Sequence, residues 1–390
     1  MAAKYHGLQI VALSEPHKKK ELAAIDSAID MKFVPHSFSQ GRPFIMKTHY
    51  VRWTGLVRHV AIAVGLCTAL SATSVLAADV KKITIRFAGT LPVAHHITKA
   101  QEHFKKLVEE ASKGNITVQV YPAGQLYKDV DLVDVIPKGS VEMAVANLGQ
   151  WAGLVPQIAV FDLMGTWENQ AHFYRTQDDS VVRDVIAKAM EKKNVLLLNT
   201  IDYGEGTYIT NKPLKKLADF KGMRIRASTE YNTLQVLALG GASSLLSSAE
   251  VYQGLSLGTI DGAITGPSSF IARKLFEVAK YDMRNVWGRG NFGTVASLKW
   301  WNTLPADVKA ILVTAGKDTE AWSRKAASEA DTQAWDKLAL IPSNVIYTVD
   351  PVEFAEWAKI MMPPQHKQFK ERAGKDGDLL LERIEALRKL

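Results

Sequence analysis

Arg226 is the residue best suited to hold a small charged molecule. It lies in the run Met223-Arg224-Ile225-Arg226-Ala227. The alternation predicts a strand with Met223, Ile225 and Ala227 on one face and both arginines on the other. A guanidinium is a planar fork of donors that matches a carboxylate's two oxygens, and it stays charged where water is excluded. Lysine would bring the charge without that geometry. On these residues alone, a structural ion pair with a nearby Asp or Glu competes with that reading. Glu250 could serve as a metal ligand, but Ser247-x-x-Glu250 is also a capping box at a helix start. His95, His96 and His103 give no metal spacing. Adjacent histidines diverge on a helix or a strand, and no carboxylate stands at ligand spacing. Gly-x-Ser-x-Gly and Walker-type loops are absent, so no catalytic constellation, metal or cofactor is expected.

The elements that must position Arg226 alternate between strand and helix patterns. Ile83, Ile85 and Phe87 predict a first strand, and Ile97, Ala100, Phe104, Leu107 and Ala111 mark one helix face, ended by Gly114. A second strand covers Ile116–Val120, a short helix runs to about Pro137, and Val141–Ala146 reads as a third strand. A helix is expected over 169–192. Strands follow at Val195–Asn199, Thr207–Thr210, Met223–Ala227, Ser243–Leu246 and Gly262–Thr265. This alternation predicts an α/β protein with largely parallel sheets. A long helical pattern opens at Leu304-Pro305-Ala306-Asp307, with Thr303 as its expected cap, and meets no strong breaker before Pro342. A helix of that length could brace two domains.

The 390 residues, 47% hydrophobic and 23% charged, supply apolar material for two cores. The formal charge is +8, but nine basic and four acidic residues precede Ala78, so the remainder carries only +3. No basic run interleaved with aromatics follows, which argues against nucleic-acid binding. Lys47, Arg52 and Arg58 precede an uncharged stretch, Val60–Leu70, and small residues end in Val75-Leu76-Ala77-Ala78. That sequence of features reads as a secretory signal peptide over 46–77, and its apolar run is short for a membrane span. Met46 is then the expected start, with 1–45 an upstream extension of the reading frame. The single cysteine, Cys67, lies within the signal, so the exported chain would carry no thiol.

Around Leu217–Gly266 the sequence becomes specific. It carries Leu217-Ala218-Asp219-Phe220-Lys221-Gly222-Met223-Arg224-Ile225-Arg226, then Glu250-Val251-Tyr252, then Gly258-Thr259-Ile260-Asp261-Gly262-Ala263. With Tyr121-Pro122-Ala123-Gly124-Gln125-Leu126 upstream and Asn302-Thr303-Leu304-Pro305 downstream, this resembles the DctP-type solute-binding proteins of tripartite ATP-independent periplasmic (TRAP) transporters. The resemblance implies two α/β domains around a ligand cleft, with a hinge and a long bridging helix. The expected division is 78–203 plus 290–330 and 204–289 plus 331–390. It also implies a periplasmic receptor whose partners are a small organic carboxylate and the transporter's membrane subunits.

Arg226 falls at the arginine that pairs with the carboxylate in this family. Thr265 takes the position of the family's asparagine and keeps one hydroxyl for a ligand. Asn147 falls where members contact ligand, although a turn-forming role competes. Gln150 and Trp151 follow it closely, and His95, in the loop after the first strand, could border the cleft. Trp287, Arg289 and Asn291 form a glycine-flanked cluster near the return crossing, with a solvated loop as the competing reading. The family's second arginine is missing from Tyr203-Gly204-Glu205-Gly206 and Asn211-Lys212-Pro213, and Glu205 would repel a carboxylate unless protonated, paired or turned away. These departures favour a monocarboxylate, or a ligand with a polar or positive far end. The competing functions are a receptor for an ATP-driven importer and a periplasmic enzyme acting on an organic acid, with Glu205 and His95 as its acid/base pair.

Overall fold

The computed structural model describes residues 82–389, so the expected extension (1–45) and signal (46–77, with Cys67) lie outside the described residues. Ten strands form: β1 (Ile83–Ala88), β2 (Ile116–Tyr121), β3 (Met143–Asn147), β4 (Val195–Thr210), β5 (Arg224–Ala227), β6 (Ala242–Leu245), β7 (Gly262–Thr265), β8 (Tyr281–Met283), β9 (Gly288–Ser297) and β10 (Val345–Tyr347). Their spatial order is β2-β1-β3-β9-β4-β7-β5-β6, with β8 between β4 and β10. β1 runs parallel to β2 and β3, and β5 runs parallel to β6 and β7. Parallel neighbours require crossover connections, usually helices, and these cover the faces of the sheets. The chain is therefore the expected α/β protein, in two lobes.

One strand is shared between the lobes. β4 pairs with β9 from Val195 to Gly206, then with β7 from Thr207 to Thr210. The sequence pattern predicts two strands here, separated at Tyr203-Gly204-Glu205-Gly206. The glycines instead mark an irregularity within a single strand of 16 residues. The register with β9 shifts between Asp202 and Gly204, and Gly204 has φ +93°. A bulge of this kind bends a strand without ending it.

Two helices tie the lobes together. The helix Ala306–Ala339 has 34 residues, so it is about 51 Å long. Val308, Leu312 and Ala315 near its start pack into the first lobe's core with Phe104 and Val145. Trp335 and Leu338 near its end pack into the second lobe with Ile209 and Phe270. Thr303 is not its cap. Pro305 holds that position, and the Thr303 hydroxyl donates to the Trp300 carbonyl at 2.7 Å. The last helix, Pro351–Arg388, is broken at Gly374. Trp357 and Met361 belong to the second lobe's core, whereas Phe369, Leu380 and Ile384 return to the first. The stretch 331–390 is thus divided between the lobes, not confined to the second. The helix expected over 169–192 is two, Gln170–Asp178 and Ser180–Glu191, because Asp179 breaks the run and caps the second. Among the described residues no helix is long and apolar enough to cross a membrane.

A Cβ on Gly204 would lie 2.2 Å from Asp331 Oδ2, at a φ that side chains rarely adopt. Gly222 has φ +76° but open space around it. Gly204→Ala is expected to cost about 2 kcal/mol or more in urea unfolding, and Gly222→Ala about 1 kcal/mol. Equal losses would show that the Asp331 contact is irrelevant.

Candidate ligand-binding site

The lobes meet over a cavity of about 80 Å³, several times the roughly 10–15 Å³ that one water needs. The first lobe contributes Asn147 and Asp162, and the second contributes Arg226, Ser248, Thr265 and Arg273. Tyr203, Arg289 and Phe292 of the crossing strands complete the wall. Strand ends in α/β sheets provide such crevices.

Arg226 is buried in this wall. Its Nε donates to the Leu246 carbonyl at 3.0 Å, Nη1 to the Ile264 carbonyl at 3.3 Å and Nη2 to Ser248 Oγ at 3.4 Å. These acceptors aim the guanidinium without neutralising it. Burial, and then the like charge of Arg273, lower its pKa to about 10. Arg273 keeps part of its surface, but its Nη1 is buried and has no hydrogen-bond partner. Burial lowers its pKa as well. Among the described residues neither arginine has a carboxylate oxygen within 4.0 Å. Arg224, on the same strand, shows the contrast. It is an exposed residue held by both oxygens of Asp261, at 2.9 and 2.8 Å. The structural ion pair that competed for Arg226 therefore belongs to Arg224.

Arg273 supplies a second arginine where the sequence reading found none. It follows the helix Pro267–Ala272, just beyond the run ending in Gly266-Pro267. A lone arginine closing a short helix was the available signal.

Asp162 was also missed. Its Oδ2 is buried without a partner, and burial pushes its pKa up to about 6 against a partial offset from the Thr229 hydroxyl. An acid within the apolar run Ile158–Met164 was the sequence clue.

Of the expected site residues, Arg226, Thr265 and Asn147 line the cavity. Thr265 Oγ1 shares a hydrogen with Tyr203 Oη at 2.6 Å. Asn147 also forms the competing turn, since its Oδ1 accepts from Gly149 N at 3.1 Å. The other expected residues point elsewhere. Gln150 Nε2 donates to the Ser228 carbonyl at 3.3 Å, joining the lobes, and Trp151 is buried in the first lobe's core. His95 caps the helix His96–Ala111 through Nδ1, and its Nε2 meets Ser269 Oγ at 3.0 Å. Its burial holds its pKa well below the usual range. Glu205 turns away. Its N–H donates to Asp331 Oδ2 at 2.7 Å and its Oε2 accepts from Trp335 Nε1 at 2.9 Å. The expected repulsion of a carboxylate by Glu205 does not arise, and Glu205 and His95 form no acid/base pair.

Asn291 is a buried residue of β9, not part of a solvated loop, and its Oδ1 accepts from Gln177 Nε2 at 3.0 Å. Trp287 and Arg289 do line the cavity, and Arg289 is neutralised by Asp202 at 2.5 Å. Glu250 Oε2 accepts from Ser247 N at 3.2 Å in its capping role, and its Oε1 pairs with Lys128 of the first lobe at 2.8 Å.

Residues 87–372 match the family described as bacterial extracellular solute-binding protein, family 7, or DctP. The chain belongs to this family. Among its DctP relatives is the C4-dicarboxylate-binding periplasmic protein of Rhodobacter capsulatus, 27% identical over 321 residues that cover 82% of this chain and 96% of the relative. A TRAP periplasmic solute-binding protein of Sulfurospirillum deleyianum, solved with bound succinate, is 26% identical with a TM-score of 0.72, covering 79% of this chain and 99% of that one. The sugar acid binding protein of Advenella mimigardefordensis, solved with galactonate, shares the fold at 24% identity and a TM-score of 0.74, with 79% and 99% covered.

The Asp162 carboxyl gives this family member a pH dependence. Above about pH 6 the fold holds an ionised, buried Asp162 at a cost. Between about 6 and the ordinary 3.8 the folded chain takes up a proton that the unfolded chain does not, so stability from this group rises as pH falls. Asp162→Asn is therefore expected to exceed the parent by on the order of 2 kcal/mol near pH 8, with the gap closing toward pH 4. Urea unfolding across that range measures it, and a gap independent of pH would refute the assignment.

Proposed function

We propose that this protein is a periplasmic receptor that closes on a small organic carboxylate and delivers it to the membrane subunits of a TRAP transporter. One observation supports the ligand class: Arg226 and Arg273 line one cavity, and among the described residues neither makes an ion pair, Asp129 acting on both only from beyond 4.0 Å. Desolvated charge without a partner is costly, and a bound carboxylate is the counter-charge whose geometry a guanidinium fits best. The carboxylate ligands named for the Rhodobacter and Sulfurospirillum relatives support the same class. The basic, apolar and small-residue pattern over 46–77 supports export to the periplasm.

The lobes are joined around the cavity by polar contacts. Ser248 N donates to Asp129 at 3.0 Å, Lys128 meets Glu250 at 2.8 Å, and His95 meets Ser269 at 3.0 Å. A ligand that touches Arg226 on one lobe and Asn147 on the other adds affinity only in the closed form, which is what shifts the balance toward closure. The separate engagements of His95 and Glu205 favour this reading over an organic-acid enzyme.

Thermal shift against a panel of organic acids tests the proposal, because binding to the native state raises the midpoint by mass action. For any acid that shifts the parent, Arg226→Gln should weaken binding by about 2–5 kcal/mol, at least about thirtyfold in Kd. A shift that survives the substitution would remove Arg226 from the site. A parent unmoved by every acid would overturn the carboxylate reading itself.

A further inference from the structure

The two charged regions of the cavity lie on different lobes. Arg226 and Arg273 belong to the second lobe; Arg226 is buried with only hydroxyl and carbonyl partners, and Arg273, partly buried, has a buried Nη1 with none. Both line the same cavity. The remaining arginine on the wall, Arg289, is already neutralised by Asp202. Asp129 offsets part of the charge of both from beyond ion-pair distance, and a carboxylate reaching Arg226 and Arg273 would supply the direct partner that neither has.

Asp162 comes from the first lobe, at the end of the stretch Pro156–Asp162. Its Oδ2 lies against Gly149, where a Cβ would come within 2.0 Å, so the glycine leaves room for the carboxyl. Among the described residues no arginine nitrogen lies within 4.0 Å of its carboxyl oxygens, which distinguishes it from Asp202, the partner of Arg289. The same wall carries Thr229, Asn232 and Gln235. Gln235 is only 3% exposed, and its Oε1, like Asp162 Oδ2, has no hydrogen-bond partner. The wall thus includes two buried acceptor atoms that lack donors. Buried acceptors are costly unless a donor reaches them. A hydroxyl can donate to an acceptor, but an ionised carboxylate offers acceptors alone.

We infer that Asp162 and Arg273 set which acids the cavity accepts: Arg273 shares one carboxylate with Arg226, while Asp162, with Gln235, accepts hydrogen bonds from hydroxyls at the ligand's far end and repels a second carboxylate. The favoured ligand is a hydroxylated monocarboxylate. This inference rests on the carboxylate-receptor reading. It reaches the polar far end by a different route from the sequence, since Glu205 takes no part.

The test holds chain length constant and varies the far end. Protein expressed from the full chain is stripped of co-purified ligand and titrated calorimetrically near neutral pH. One set of probes is hexanoate, adipate, 6-aminohexanoate and D-gluconate; a shorter set is butyrate, succinate and D-erythronate. The parent should prefer the hydroxylated acid to the diacid by about tenfold or more in at least one set. Asp162→Asn keeps the shape and one acceptor but removes the charge, and should shrink that preference by strengthening diacid binding. Arg273→Gln should weaken every acid by a similar factor and leave the preference intact. Thermal unfolding of each variant confirms that it is folded.

A diacid bound as tightly as its hydroxylated counterpart, or tightest binding by 6-aminohexanoate, would overturn the hydroxyl assignment. A preference unchanged in Asp162→Asn would overturn the role of Asp162, and unchanged affinities in Arg273→Gln would overturn that of Arg273. In each of those cases acids still bind and the receptor reading stands. Failure of the parent to bind any acid would remove both.

Discussion

A buried guanidinium without a carboxylate beside it is the constraint around which this structure is arranged. Removing a cation from water is expensive, and elsewhere in the fold the expense is met by pairing, as Asp261 does for Arg224 and Asp202 for Arg289. Arg226 is given only carbonyl and hydroxyl oxygens. Those contacts fix its direction and leave its charge unspent. Strand β5 brings it to the cavity, the capping box at Ser247–Glu250 orders the turn that supplies Ser248, and the helix Pro267–Ala272 adds Arg273. The surrounding architecture holds an incomplete electrostatic arrangement that a ligand completes.

The lobes can serve that arrangement because few elements pass between them. β4 and β9 cross together, and the bulge at Gly204 takes up the bend next to Asp331. The helix Ala306–Ala339 roots one end in each core, and the last helix changes cores on either side of its break. Away from these crossings the lobes touch through short polar contacts such as Asp129 with Ser248. Rigid cores with a thin polar seam are what hinge motion requires.

Much of this was legible in the sequence. The alternation of strand and helix, β7 to the residue, and the placement of Arg226 on a strand end follow from periodicity and a run of family-like residues. The errors have physical causes. Two strands were expected where β4 is one, because the pattern lapses around Gly204, and a positive φ there serves a bulge and not a turn. Asp179 inside an apolar helical pattern was passed over although a carboxylate there caps the next helix. Arg273 and Asp162 were invisible for a different reason. Each sits in an unremarkable local pattern, and only the tertiary fold brings them to one cavity from positions more than a hundred residues apart. Sequence left Glu205 open between facing the ligand and turning away because it gives no side-chain direction, and its partner, Trp335, lies at the far end of a long helix.

The exposed Lys128–Glu250 pair has side chains 53% and 41% accessible, and such a pair contributes at most about 1 kcal/mol and weakens with salt. Against it stands the cost of holding the buried Arg226 guanidinium, and the buried Nη1 of Arg273, away from water without an ion pair. An empty molecule therefore gains little by closing, and a filled one gains a great deal. The outline of the closed protein then becomes a reliable token of cargo.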